Sequence, residues 1–216
     1  MIFLENAEPL VASILPRKVP VQARSRVRFE RILEVAVDLI VGQGIDAVAM
    51  SEIAKKADIS IASLYQYFPD KAAIIATLAE RYNAEGRVCV EEVFAKVEVP
   101  ADLLPAMHLM VQSYFDYFIS VPEGQAIWQA TQSDKRLQEL DAKDMEFHAE
   151  TINTAIGRVM PEMPADESLR LGRLFTGIIG TAVRSAITMD PDEARAYIEA
   201  CKNTILTPGV EKVLGR

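Results

Sequence analysis

From Phe29 onward the apolar residues of this chain recur three and four positions apart, and no stretch alternates with period two for long enough to build a sheet. Phe29, Ile32, Ala36, Leu39 and Ile40 form the first stripe, and Met50, Ile53, Ala54 and Ala57 a second, very short one. Such stripes bury one face of a helix, so the expected fold class is all-α. The punctuation agrees. Ser25 can cap the first helix and Gly44 can stop it. A break follows at Asp58-Ile59, Ser60 can cap a third helix through Tyr67, and Pro69 ends that helix. Asp70 then opens a long fourth helix towards Lys96. Further helices are predicted over about 102–120, 122–131, 134–160, 166–189 and 191–206. The last of these has the clearest start, with Asp190 as N-cap, Pro191 at the first position and Glu193 as capping-box partner.

With 216 residues, half of them hydrophobic, the chain can form sizeable cores without a covalent staple. Two distant cysteines, Cys89 and Cys201, do not form a disulfide framework and are expected as small buried thiols in a reducing cytoplasm. Two histidines, His108 and His148, are too few for a multi-histidine metal centre, and no nucleophile–base pair or phosphate loop appears; no catalytic residue, metal or cofactor is expected. The longest apolar-rich run, near Leu174 to Val183, is shorter than a membrane span. The first residues carry Glu5 and Glu8 where a signal peptide needs positive charge. A cytoplasmic protein without membrane contact is therefore expected.

Charge divides the chain. Residues 1–75 hold nine basic and nine acidic side chains, so the whole net charge of −8 lies in the remainder. Within the neutral part, Arg17, Lys18, Arg24, Arg26, Arg28 and Arg31 face one acid, Glu30. A local basic patch on an acidic protein fits contact with a polyanion at one place and repulsion elsewhere. Pro9, Pro16 and Pro20 interrupt the segment before it, which reads as an arm over 1–21.

Three short helices with an abrupt turn between the second and third form a helix-turn-helix layout, whose second helix lies in the major groove of DNA. The third helix and its cap, Ser60-Ile61-Ala62-Ser63-Leu64-Tyr65-Gln66-Tyr67-Phe68, have Leu64 and Phe68 on a core-facing side. Ile61, Ala62, Ser63, Gln66 and Tyr67 are expected on the other faces. Residues 22–80 resemble the DNA-binding domain of the tetracycline-repressor-like (TetR/AcrR) transcriptional regulators. The resemblance is carried by Gln22-Ala23-Arg24-Ser25-Arg26, Ile32-Leu33-Glu34-Val35-Ala36, Gly42-Gln43-Gly44-Ile45, Ile53-Ala54, Ala57, and the run from Ser60 through Pro69-Asp70-Lys71. The chain departs from the family at Ala49, Asp58 and Ala62, where Thr, Gly and Gly are usual.

The resemblance implies an N-terminal three-helix DNA-binding domain over 22–71, joined by the long fourth helix to an α-helical effector-binding and dimerisation domain over 72–216; the chain itself offers Val99-Pro100 as a domain seam. It also implies a homodimeric repressor, released from a palindromic operator by a small apolar effector. By position, Tyr67 and Lys71 match phosphate contacts, and Tyr65 an aromatic shared between packing and phosphate. Ser60, Ile61, Ala62, Ser63 and Gln66 match base-facing positions, while Arg24, Arg26 and Arg28 lie where relatives touch phosphate or a minor groove. Gln66 has the chemistry to bond an adenine edge twice.

In the second domain, the helix from Asp102 is rich in aromatics and methionines, which make adaptable apolar pockets. His108, Val111, Phe115, Phe118, Trp128, Asp144, Phe147 and His148 are the candidate effector contacts, with Asp144 and His148 also readable as a core pair. Arg173, Gly177, Gly180 and Arg184 share one face of a late helix and are the candidate dimer contacts, an intrachain crossing being the other reading. A non-specific architectural DNA binder and a small-molecule enzyme using the second-domain cavity are the alternative functions.

Overall fold

The computed structural model describes Ile14, Pro16 and residues 22–215. Among these residues every regular element is helical. The helices are α1 (Ala23–Gln43), α2 (Met50–Lys56), α3 (Ile61–Tyr67), α4 (Lys71–Ala95), α5 (Leu103–Ser120), α6 (Pro122–Thr131), α7 (Lys135–Val159), α8 (Ala165–Ala186), α9 (Pro191–Cys201) and α10 (Thr207–Val213). A 3₁₀ turn, Pro100–Asp102, precedes α5, and a π-helical segment, Lys202–Leu206, joins α9 to α10. Apart from Ile14 and Pro16, the predicted arm over 1–21, with Arg17 and Lys18, lies outside the described residues.

The chain forms two compact units. One gathers the described residues up to Asn83 with Pro122–Ala142, the other Ala84–Val121 with the described residues from Lys143 onward. Helices α4 and α7 each contribute residues to both. In the first unit, α1 buries Phe29, Ile32, Leu33, Val35, Ala36, Leu39 and Ile40 against α2, α3 and α6. Each large apolar side chain removed from water in this way contributes roughly 1.5–3 kcal/mol before entropy is counted. Gly44 ends α1 with φ of 75°, a backbone conformation in which a side chain would be strained. Asp58 takes the tight turn between α2 and α3 at φ 54°, where Asp is tolerated better than most residues. Ser60 caps α3, its hydroxyl oxygen accepting the Ser63 N–H at 3.1 Å.

Two helix starts meet in this unit. Asp70 caps α4 by accepting the Ala73 N–H at 2.9 Å, and its other oxygen accepts from Arg136 at 3.1 Å. Arg136 also grips Asp134, at 2.7 Å, just before α7. That hydrogen bond holds the Asp134 carboxyl below the usual carboxylate range and raises the Arg136 guanidinium.

In the second unit, α8 crosses α5, α7 and α9 with Phe175, Ile179, Ala182 and Val183 buried. Gly172 makes the tightest approach, since a Cβ there would stand 2.3 Å from the Ala149 carbonyl oxygen on α7. The Arg158 guanidinium donates to the carbonyls of Phe94, Ala95 and Val97 at 3.0–3.3 Å, closing the C-terminal end of α4.

Three local expectations are corrected. Helix α1 begins at Ala23, so Ser25 lies in its first turn and caps nothing. The last predicted helix ends at Cys201, continues as the π segment and resumes as α10. Cys89 is exposed, because its position on α4 turns away from the packed face; Cys201 is buried, which raises its thiol pKa.

Candidate functional site

The α3 helix shows how a seven-residue segment can be both anchored and presented. Leu64 and Phe68 are fully buried, and Phe29 of α1 stacks on Phe68 with ring centroids 5.0 Å apart. The opposite surface carries Ile61 at 41% and Tyr65 at 42% exposure, together with exposed Ala62 and Gln66 and half-buried Ser63. An apolar side chain as open as Ile61 has the chemistry to pack on a thymine methyl, and Gln66 that to pair an adenine edge. Exposed Arg24, Arg26 and Arg28 occupy the first turns of α1. Val27, 69% exposed among them, was passed over by the sequence reading; an apolar residue inside a basic run was the available signal.

Two side chains stand differently from expectation. Tyr67 was expected on an outer face, but it is only 6% exposed. It lies one helical turn beyond Leu64, on the same side, with its ring edge-on to Phe29 at 6.2 Å and its hydroxyl 2.8 Å from Ser25 Oγ. Lys71 is half-buried, and its ammonium donates to the carbonyls of Ile45 at 2.6 Å and Val48 at 2.9 Å. Two of its three donors therefore close the segment between α1 and α2, and one remains.

The second unit contains a buried polar cluster. Arg87 donates to Asp144 Oδ1 at 2.7 Å, and His148 Nε2 lies 3.1 Å from Asp144 Oδ2. A carboxylate paired with arginine only accepts, so Nε2 carries the proton. The three side chains are 12–13% exposed, with the guanidinium 5.8 Å from the centre of the Phe147 ring. The buried His148 Nδ1 has no hydrogen-bond partner among the described residues. The structure thus joins Asp144, Phe147 and His148, adding Arg87, which no helical period could link to them.

His108 is engaged elsewhere. The Thr207 hydroxyl gives its proton to the Lys202 carbonyl at 2.9 Å, so His108 Nε2 must donate to Thr207 Oγ1, 3.0 Å away. The imidazole ties α5 to Thr207, the first residue of α10. Val111, Phe115 and Phe118 are buried, Phe118 edge-on to Tyr114 at 4.9 Å and to Tyr117 at 5.7 Å. Trp128, expected with them, lies on α6, which belongs to the first unit and buries Ile127 and Ala130 in the N-terminal core.

The late helices carry an open groove of about 740 Å³, lined by Leu174, Gly177, Ile178 and Thr181 of α8, Tyr197 of α9 and Ile205 of the π segment, among others. Leu174 is 56%, Ile205 47% and Tyr197 38% exposed. Of the four candidate dimer contacts, Arg173 and Gly177 line this groove, and Arg173 pairs with Glu146 of its own chain at 2.5 Å. Gly180 turns inward instead. A Cβ there would meet Arg184 Nη1 at 2.8 Å and Met145 Cε at 3.3 Å. The sequence reading missed Leu174, Ile178 and Thr181, although their spacing of four and three marks a second apolar stripe on α8.

Comparison with known proteins agrees with this layout. The family description "Bacterial regulatory proteins, tetR family" matches residues 32–78, and "Tetracyclin repressor-like, C-terminal domain" matches residues 102–207. An uncharacterized HTH-type transcriptional regulator of Bacillus subtilis, YvdT, is 38% identical over 53 residues, 24% of this chain. The match spans about a quarter (27%) of that curated relative's length. A TetR-family transcriptional regulator from Streptomyces coelicolor superimposes with a TM-score of 0.62 at 23% identity, covering 88% of this chain and 98% of that one. The Bacillus subtilis regulator FadR, solved in complex with stearoyl-CoA, does so with a TM-score of 0.61 at 18% identity, covering 83% and 96%. Among the described residues, no helix is long and apolar enough to cross a membrane. With an anchored, outward-facing α3 at one end of the chain and matches to both halves of one family, this chain belongs to the TetR family of transcriptional regulators.

Proposed function

We propose that the chain is a homodimeric repressor that reads a palindromic operator through α3 and releases it on binding a small, largely apolar effector. The observation that carries this reading is the two-sidedness of α3, with Leu64 and Phe68 seated in the core while Ile61, Ala62, Tyr65 and Gln66 face outward. Ser60, Ser63 and Gln66 would meet base edges with Ile61 and Ala62. Tyr65, Lys71 and Arg24, Arg26 and Arg28 would meet the sugar–phosphate backbone. Selection of binding sites from random duplex DNA is expected to return a two-fold palindrome with half-sites one helical turn apart, about 34–36 Å. Its affinity should exceed that for random duplex at the same salt by about a thousandfold or more, which an architectural binder would not show. In Gln66→Ala, discrimination at one base position per half-site should fall by about 1–3 kcal/mol, the other positions being kept. Failure to select any site would overturn the proposal.

The apolar groove along α8 and α9 supports self-association, because Leu174, Tyr197 and Ile205 place large hydrophobic side chains on one exposed surface. Leu174→Glu combined with Ile205→Glu should convert a dimer into a monomer in sedimentation. Operator affinity should drop by about a hundredfold or more, because each half-site is then bound singly. An unchanged mass would place the interface elsewhere.

The domain of Ala84–Val121 and Lys143 onward would hold the effector, as the fold relative solved with stearoyl-CoA suggests. The Arg87–Asp144–His148 cluster indicates its polar requirement. His148 Nδ1 is buried without a hydrogen-bond partner, which costs about 1–3 kcal/mol when unsatisfied, so an apolar molecule with one polar group that can hydrogen-bond the imidazole fits best.

A further inference from the structure

Ser25 and Tyr67 are 42 residues apart, yet their hydroxyl oxygens lie 2.8 Å from each other. The three aromatic rings explain why. Phe29 stacks on Phe68 and meets the Tyr67 ring at 63°, so the first turns of α1 and the end of α3 close around one apolar contact. Tyr67 is thereby buried to 6% exposure, while Ser25 stays partly open between exposed Arg24 and Arg26. Two hydroxyls carry two protons, and the bond between them uses one. A phenol donates better than an alcohol, so Tyr67 gives its proton to Ser25 Oγ and the Ser25 proton is left for a further acceptor. A hydroxyl that accepts such a bond is polarised into a stronger donor.

We propose that Ser25, rather than Tyr67, donates to an operator phosphate, and that Tyr67 is a positioning residue acting through it. The proposal rests on the DNA-binding reading above, and it moves to Ser25 the phosphate contact that family position assigns to Tyr67. It also accounts for a serine in the first turn of α1 that caps nothing.

The test measures affinity for the operator selected by the wild-type protein, together with thermal stability. Four variants serve: Ser25→Ala, Ser25→Thr, Tyr67→Phe and the double variant Ser25→Ala with Tyr67→Phe. Ser25→Ala should bind about tenfold more weakly per half-site, the size of a lost hydrogen bond to a charged group. Tyr67→Phe keeps the Ser25 proton and should lose only about threefold, the size of one neutral hydrogen bond. The double variant should bind no more weakly than Ser25→Ala, and Ser25→Thr should restore binding, a rescue that a purely structural role does not predict. Tyr67→Phe weaker than Ser25→Ala, additive losses, or binding by Ser25→Ala at wild-type strength would each overturn the assignment. If the wild-type protein selects no site, the DNA-binding reading falls with it; if it selects one and the order is reversed, only this assignment falls.

Discussion

Gly172→Val is expected to cost about 3 kcal/mol or more, at the upper end of overpacking effects, because the atoms it meets cannot turn away. The first carbon of any side chain at this position would stand 2.3 Å from the Ala149 carbonyl oxygen, 3.2 Å from its carbon and 3.4 Å from the Asn153 nitrogen. All three belong to the backbone of α7, so relief requires the two helices to separate over a crossing that buries Ala149, Ile152 and Phe175. Thermal unfolding should shift down by about 6–12 °C for a protein of this size. Two neighbouring glycines serve as controls on the same helix. Gly180→Ala meets the terminal Nη1 of the Arg184 side chain at 2.8 Å and Met145 Cε at 3.3 Å, neither of them backbone, while Gly177→Ala meets nothing within 4 Å. Both should stay within about 1 kcal/mol of wild type. A Gly172→Val protein as stable as these controls would show that the crossing is looser than the geometry describes.

Lys71→Met is expected to damage both stability and DNA binding, and the two losses can be separated. The Lys71 ammonium closes the segment between α1 and α2 by donating to the Ile45 and Val48 carbonyls. Hydrogen bonds to a charged group contribute about 1.5–3 kcal/mol each, but these carbonyls are only part-buried and recover some water, so a loss of about 2–4 kcal/mol is expected in urea unfolding. Lys71 also leads α4 directly after α3, and its remaining N–H is the one available to a phosphate. Removing that charge should lower the slope of log affinity against log salt by about 0.9 per half-site. A stability loss with an unchanged salt slope would assign Lys71 to the loop alone. A changed slope in a protein of wild-type stability would assign it to DNA alone.

The contrast between these two positions also marks how far the sequence could be read. The α3 helix, its Ser60 cap and the turn at Asp58 were legible because each depends on residues three or four apart, where local hydrogen bonds and hydrophobic spacing act. The same holds for Gly44 at the end of α1 and for Asp190, which accepts from the Asp192 and Glu193 N–H groups at the start of α9. Family position pointed to Lys71 and Tyr67 but could not say what their polar atoms touch. Those contacts cross 26 residues from Lys71 to Ile45 and 42 from Ser25 to Tyr67.

An all-α chain with a capped, two-faced helix after a tight turn follows from local sequence alone. Short-range hydrogen bonding and the 3.6-residue period set those features before any packing occurs. Which side chains share a neighbourhood depends on packing between distant segments. Arg87 reached Asp144 across 57 residues, Arg136 reached Asp70 across 66, and Tyr67 turned inward to meet Phe29. Gly172 and Gly180 came to face α7 while Leu174 and Ile178 came to line the open groove, although all four lie on one helix. Periodicity assigns residues to faces, but only the packing of helices against each other decides which face is covered and by what.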